Sequence, residues 1–119
     1  MTIRGGTLFT GNFVSVRGGA MVIQSTSKSN ITNVTCTANK AEVGGAIALQ
    51  YPSDNDRVYD KCVFADNIAI NGGAVYLYGD LGRDVITDSV FRGNNASKCR
   101  HTAVWIDEIA PIRDTEVAR

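Results

Sequence analysis

Two short motifs recur along this chain with one period, and that recurrence limits what it can fold into. A Phe-x-x-Asn unit occurs at Phe9–Asn12, Phe64–Asn67 and Phe91–Asn94, and the same unit with cysteine leading occupies Cys36–Asn39. Successive starts are 27, 28 and 27 residues apart. A second unit follows each time: Gly18-Gly19-Ala20-Met21, Gly44-Gly45-Ala46-Ile47 and Gly72-Gly73-Ala74-Val75, with His101-Thr102-Ala103-Val104 at the fourth place. Two motifs sharing a period of this length predict one supersecondary unit stacked on copies of itself.

The stacked unit is extended rather than helical. Apolar residues alternate with period two, and glycine pairs break short helices. After each glycine pair, Met21/Ile47/Val75/Val104 form one column of equivalent positions and Ile23/Leu49/Leu77/Ile106 the column two residues on, both apolar throughout. The positions between and after them, Val22/Ala48/Tyr76/Trp105 and Gln24/Gln50/Tyr78/Asp107, are mixed, the pattern of a strand with one face in and one face out. A second strand leads into the Phe-x-x-Asn unit, aligning Phe9, Cys36, Phe64 and Phe91. A third short segment carries Val14/Ala41/Ala69/Ala96. About three strands per repeat, stacked about 4.8 Å apart, predict an all-β chain folded as a parallel β-helix of about four coils. Its right hand follows from the preference of parallel crossovers. Phe9, Phe64, Phe91, Ile47, Leu49, Val75, Leu77 and Ile106 are expected inside. The aligned Asn12, Asn39, Asn67 and Asn94 are expected to bend the chain and to hydrogen-bond from coil to coil as an amide ladder. The glycine pairs supply unusual backbone angles and let coils approach closely.

Phe-x-x-Asn paired with Gly-Gly-Ala-Ile/Val at this period resembles the repeat of the polymorphic outer membrane protein family, over about Phe9 to Val104. The resemblance implies a right-handed, pectin-lyase-like β-helical passenger, an extracellular or outer-membrane-associated location, and a role in adhesion to host cells through a glycan or host-surface protein. Cys36 in place of a phenylalanine and His101-Thr102 in place of a glycine pair depart from the family pattern. Residues 1–119 read as a single domain, and as a piece of a longer solenoid, since Ile112-Arg113-Asp114-Thr115-Glu116-Val117 is similar to Val85-Ile86-Thr87-Asp88-Ser89-Val90, as though a fifth coil were starting.

Composition narrows the function. Twelve Lys and Arg balance twelve Asp and Glu, so no strong field points to nucleic acid. The longest aliphatic run, Ala46–Leu49, is far too short for a membrane-spanning helix, so direct membrane insertion by this segment is not expected. Met1–Arg4 lead at once into patterned sequence, with no targeting segment visible. Cys36, Cys62 and Cys99 form no Cys-x-x-Cys pair and His101 is the only histidine, which argues against a zinc site and for buried free thiols. No cofactor and no metal is expected; Asp54-Asn55-Asp56 is a weak calcium signal. The sequons at Asn30, Asn33 and Asn95 are what a chain rich in Asn, Ser and Thr produces by composition.

A β-helix also suits polysaccharide lyases and glycosidases, so a fragment of such an enzyme is the alternative to a non-enzymatic scaffold. Glycosidases need two carboxylates roughly 5 to 9.5 Å apart. No strand column here carries two acids. Asp88 aligns instead with Lys61, Asp84 with Arg57 and Asp56 with Arg83, which predicts surface ion pairs between coils. No catalytic residue is assigned. Variable stretches Ser25–Ser29, Tyr51–Arg57 and Gly79–Asp84 follow the glycine-led strand, and repeat proteins place binding on such an edge. Tyr76, Tyr78, Trp105 and Asp107 are the candidate binding residues: an outward column of rings to stack on a sugar face, with Asp107 and Gln50 to hydrogen-bond. The competing reading has these rings shielding the sheet.

Overall fold

In a computed structural model of the chain, the described residues are 2–23, 28–49, 57–77, 84–97, 104–106, 112–113 and 116–117; for the last three segments, Leu77 and Asp84 the backbone alone is described. They form an all-β structure, and none of them is helical.

The strands fall into parallel sheets. One contains β1 (Thr2–Ile3), β4 (Ser29–Thr32), β7 (Arg57–Asp60), β11 (Asp84–Thr87) and β15 (Ile112–Arg113), in that order. A second contains β2 (Thr7–Thr10), β5 (Val34–Thr37), β8 (Val63–Ala65), β12 (Val90–Arg92) and β16 (Glu116–Val117). A third contains β3 (Met21–Ile23), β6 (Ile47–Leu49), β10 (Val75–Leu77) and β14 (Val104–Ile106), and β9 (Ile68–Ala69) pairs with β13 (Asn95–Ala96). Every strand lies beside its equivalent in the next repeat. The expected columns are register partners: Phe9 with Cys36, Cys36 with Phe64 and Phe64 with Phe91 in the second sheet, Met21 with Ile47, Ile47 with Val75 and Val75 with Val104 in the third.

The first of these sheets was absent from the expected three strands. Its inward column is Ile3/Ile31/Tyr59/Ile86, in register throughout and buried from Ile31 on. The short segment after the asparagine, expected as a third strand, is a strand only at β9 and β13 and otherwise isolated bridges such as Phe13–Lys40 and Lys40–Ile68. Three left-handed backbone positions per repeat turn the chain between sheets. They are Gly6/Asn33/Lys61/Asp88, then Gly11/Ala38/Asp66/Gly93, then Gly18/Gly44/Gly72. The bend near the ladder therefore lies one residue before each asparagine, not on the asparagine.

The fifth repeat begins one residue out of the alignment read from sequence. Ile112 pairs with Ile86 rather than Val85, and Val117 with Phe91. Inside, Phe64 and Phe91 stack at 4.8 Å between centroids and 17° between planes, an arrangement worth about 1 kcal/mol beyond its buried area. Ile47, Leu49, Val75, Phe64 and Phe91 are buried as expected, Phe9 is half-buried, and the side chains of Leu77 and Ile106 lie outside those described.

Candidate functional site

The asparagine column is the most completely built polar array among the described residues. The inner members, Asn39 and Asn67, bond to both neighbouring repeats. Asn39 donates from its backbone N–H and from Nδ2 to Oδ1 of Asn67, both at 3.0 Å. Asn67 does the same to Oδ1 of Asn94 at 3.0 and 2.9 Å, and Asn12 to Oδ1 of Asn39 at 3.1 and 2.8 Å. The remaining Nδ2 proton runs the other way: Asn39 to the Phe9 carbonyl, Asn67 to that of Cys36, Asn94 to that of Phe64. Asn39, Asn67 and Asn94 are buried, so every donated bond replaces hydration that the interior cannot supply. This array carries structure, because the side-chain donors and acceptors of Asn39 and Asn67 are spent on neighbouring repeats.

The glycine pairs divide their labour. The first glycine holds a left-handed angle, φ 64° at Gly44. The second permits contact between repeats, since a Cβ on Gly45 would overlap the Gly73 carbonyl oxygen and lie 2.8 Å from the Ile68 nitrogen. No anion-binding loop is needed to explain them.

Of the candidate binding residues, Tyr76 is half-buried in β10, with Ala48 and Trp105 as register partners on either side. The side chain of Trp105 is not among those described, and Tyr78, Asp107 and Gln50 lie outside the described residues, as do most of the variable stretches at 24–27, 50–56 and 78–83. The column itself is not uniformly outward to solvent. Val22 is 38% exposed, whereas Ala48, at the outward-alternating position of β6, is fully buried.

Arg57 and Asp84, expected to pair at the surface, are register partners, with Arg57 only 1% exposed and the side chain of Asp84 outside those described. Lys61 and Asp88 occupy equivalent corners, yet the ion contact of Lys61 is with its neighbour Asp60, at 4.0 Å. Asp56 and Arg83 lie outside the described residues. Sequence reasoning missed the polar column of the first sheet, where Thr87 Oγ1 donates to Asp60 Oδ1 at 2.8 Å. Its signal was available as Thr32/Asp60/Thr87 at one register position.

Cys36 and Cys62 are buried free thiols; Cys99 is outside the described residues. Burial pushes the Cys36 thiol up to about 12, with Cys62 nearby adding to the effect. Burial also raises Cys62, against opposing backbone hydrogen bonds. Both are protonated, inert thiols at neutral pH. Among the described residues no group of three or more His, Cys, Asp or Glu is placed to hold a metal ion. Comparisons with protein-family models, curated proteins and solved structures found no match.

Proposed function

We propose that the chain is a right-handed parallel β-helix of about four coils, a segment of a non-enzymatic extracellular scaffold that presents an adhesion-type surface to a glycan or host-surface protein. The observation that supports this reading most is where the recurring chemistry goes. The residues repeated at the period, Asn39, Asn67, Asn94, Gly45, Phe64 and Phe91, are buried and engaged with a neighbouring repeat. Chemistry common to all repeats thus builds the stack, and recognition falls to residues that differ between repeats, such as the Val22/Ala48/Tyr76/Trp105 column.

The test is binding by the chain carrying Tyr76→Ala or Trp105→Ala, read on a glycan array and on cells beside a urea titration. Loss of binding with an unchanged midpoint supports recognition by this column. Unchanged binding with a lowered midpoint makes the column structural. Turnover of acidic polysaccharides, seen as new reducing ends or unsaturated sugars, overturns the non-enzymatic reading.

A further inference from the structure

Six large apolar side chains stand exposed among the described residues. Five of them, Leu8, Phe13, Val14, Val16 and Val22, belong to the first repeat, where the sheets end. The sixth, Ile68, is 45% exposed although it has register neighbours on both sides, Lys40 and Asn95. A missing neighbour does not account for it.

Ile68 lies on the short segment that follows each asparagine, at 13–17, 40–43, 68–71 and 95–97. The inward column of that segment is Val14/Ala41/Ala69/Ala96, buried from Ala41 on, and alternation turns the residues on either side outward. Two outward columns result. Phe13, Lys40, Ile68 and Asn95 form one, in register and all exposed. Two positions on, Glu42 and Ser97 are exposed and Ile70 is half-buried. The first repeat is one residue longer here and sets exposed Ser15 and Val16 at that place. Lys40 Nζ is 5.9 Å from the Phe13 ring centroid, so the cation lies over this face.

We propose that this face is a homodimer interface, on which two copies of the chain pack side by side with their repeats in step. Each row carries two residues matched in kind or opposite in charge: Phe13 beside Val16, Lys40 beside Glu42, Ile68 beside Ile70, Asn95 beside Ser97. A two-fold axis lying in the face and parallel to the stacking direction exchanges the two columns and keeps every row at its own height. Lys40 of one copy then meets Glu42 of the other, twice by symmetry. Ile68 meets Ile70, which covers the exposed apolar row, and Asn95 meets Ser97. An isologous interface requires this self-complementarity. The outward columns of the first and second sheets lack it. The same operation there sets Val58 against the Asp60 carboxylate and Val90 against the Arg92 guanidinium. Rows about 4.8 Å apart make a small contact, so the dimer belongs to the weak, micromolar class. The Tyr76 column lies in the third sheet and takes no part, so the pairing is independent of what that column binds.

Sedimentation equilibrium of the chain from about 1 µM to 1 mM reads the association. The expected result is a mass that rises from one chain to two. Lys40→Glu sets carboxylates against each other across the axis and Glu42→Lys sets ammonium groups, in both cases twice. Either variant is expected to raise the dimer Kd about tenfold or more. An equal mixture of the two variants regains opposite charges at both contacts, and the double variant Lys40→Glu/Glu42→Lys regains them within one chain. Both are expected to return Kd to within about threefold of the parent value. Ile68→Thr suits a strand and thins the apolar row, and is expected to weaken the dimer about tenfold. It keeps the test open where a urea titration shows that a charge reversal disturbs the fold. A chain that stays monomeric throughout overturns the proposal. So does a dimer indifferent to all three substitutions, because the contact then lies elsewhere, as at the β1, β2 and β3 edge. A mixture of folded charge variants that stays monomeric overturns it too, since the two-fold axis demands recovery.

Discussion

Phe9 and Phe64 occupy equivalent positions of one sheet, yet Phe9 is half-buried and Phe64 fully buried. The same contrast separates Asn12 from Asn39, Ala20 from Ala46 and Met21 from Ile47. Motif and backbone are shared, so the difference comes from neighbours: β2 has a partner on one side and β8 on both. Burial here depends on whether a strand has a partner on both sides and not on the repeat's own sequence.

The largest effect is expected from breaking the aromatic column where it is flanked. Phe64→Ala removes a fully buried ring that stacks on Phe91 and leaves a cavity, and is expected to cost about 3 to 5 kcal/mol. Phe9→Ala, in the same column at the end, is expected to cost less than half as much. Urea denaturation of the two variants checks this. Equal losses would mean that Phe9 is as enclosed in solution as Phe64.

The ladder sharpens the comparison on polar ground. Asn67→Ala strands the N–H and one Nδ2 proton of Asn39 and the Cys36 carbonyl in a buried site, besides losing the Nδ2 bond to Asn94 Oδ1 while the backbone N–H of residue 67 keeps its own. A loss of about 2 to 4 kcal/mol is expected. Asn12→Ala removes only the Nδ2 donor from Asn39 Oδ1, which keeps the backbone N–H of residue 12, at an exposed position where water replaces the lost proton, for about 1 kcal/mol or less. A loss at Asn12 as large as that at Asn67 would be incompatible with this account.

The glycine pair reverses the pattern and so tests its cause. A Cβ on Gly19 would overlap the Gly45 carbonyl oxygen, just as one on Gly45 would overlap that of Gly73. The crowding is with the following repeat, which both have. Gly19→Ala and Gly45→Ala are therefore expected to be similarly destabilising, by about 1 to 3 kcal/mol, despite lying in differently buried repeats. Thermal midpoints of the two variants give the comparison directly.

How much of this was legible beforehand follows from which residues carry a signal in their type. The columns led by Phe9 and Met21 repeat in kind, and the structure pairs them as the sequence aligns them. The first sheet was missed because its inward column mixes isoleucine with Tyr59, and because its corner falls on Gly6, Asn33, Lys61 and Asp88, all at positive φ. Lysine in a left-handed conformation has no sequence signature; the stack imposes it at a cost of order 1 kcal/mol. Arg57 misled for a related reason. Its charge suggested the surface, whereas its register position shares the parity of the buried Tyr59 and Ile31. The candidate binding column was legible as a register, Tyr76 with Trp105, but the burial of Ala48 within it was not, since alternation alone says nothing about what covers a face.

The smallest effect concerns the one member of the aromatic column that titrates. Cys36 stands between Phe9 and Phe64, and burial with the nearby Cys62 raises its thiol from 9.0 to about 12. The folded chain therefore holds this proton through a range in which the unfolded chain releases it. Stability from this source is fully present below pH 9.0 and declines as pH rises toward about 12, because the unfolded state binds fewer protons there. By pH 10 the loss is expected to be about 1 kcal/mol relative to pH 8, seen as a falling urea midpoint. Cys36→Val is expected to weaken that decline without abolishing it, since Cys62 is raised as well. Moving the thiol to the end of the column, by Phe9→Cys in the Cys36→Val background, places it where burial is only partial. Desolvation is the main cause of the rise, so the decline restored by the moved thiol is expected to be smaller than the one Cys36 produced. A decline of full size from the end position would show that Phe9 is enclosed on both sides, and would reduce the difference between end and inner repeats to sequence alone.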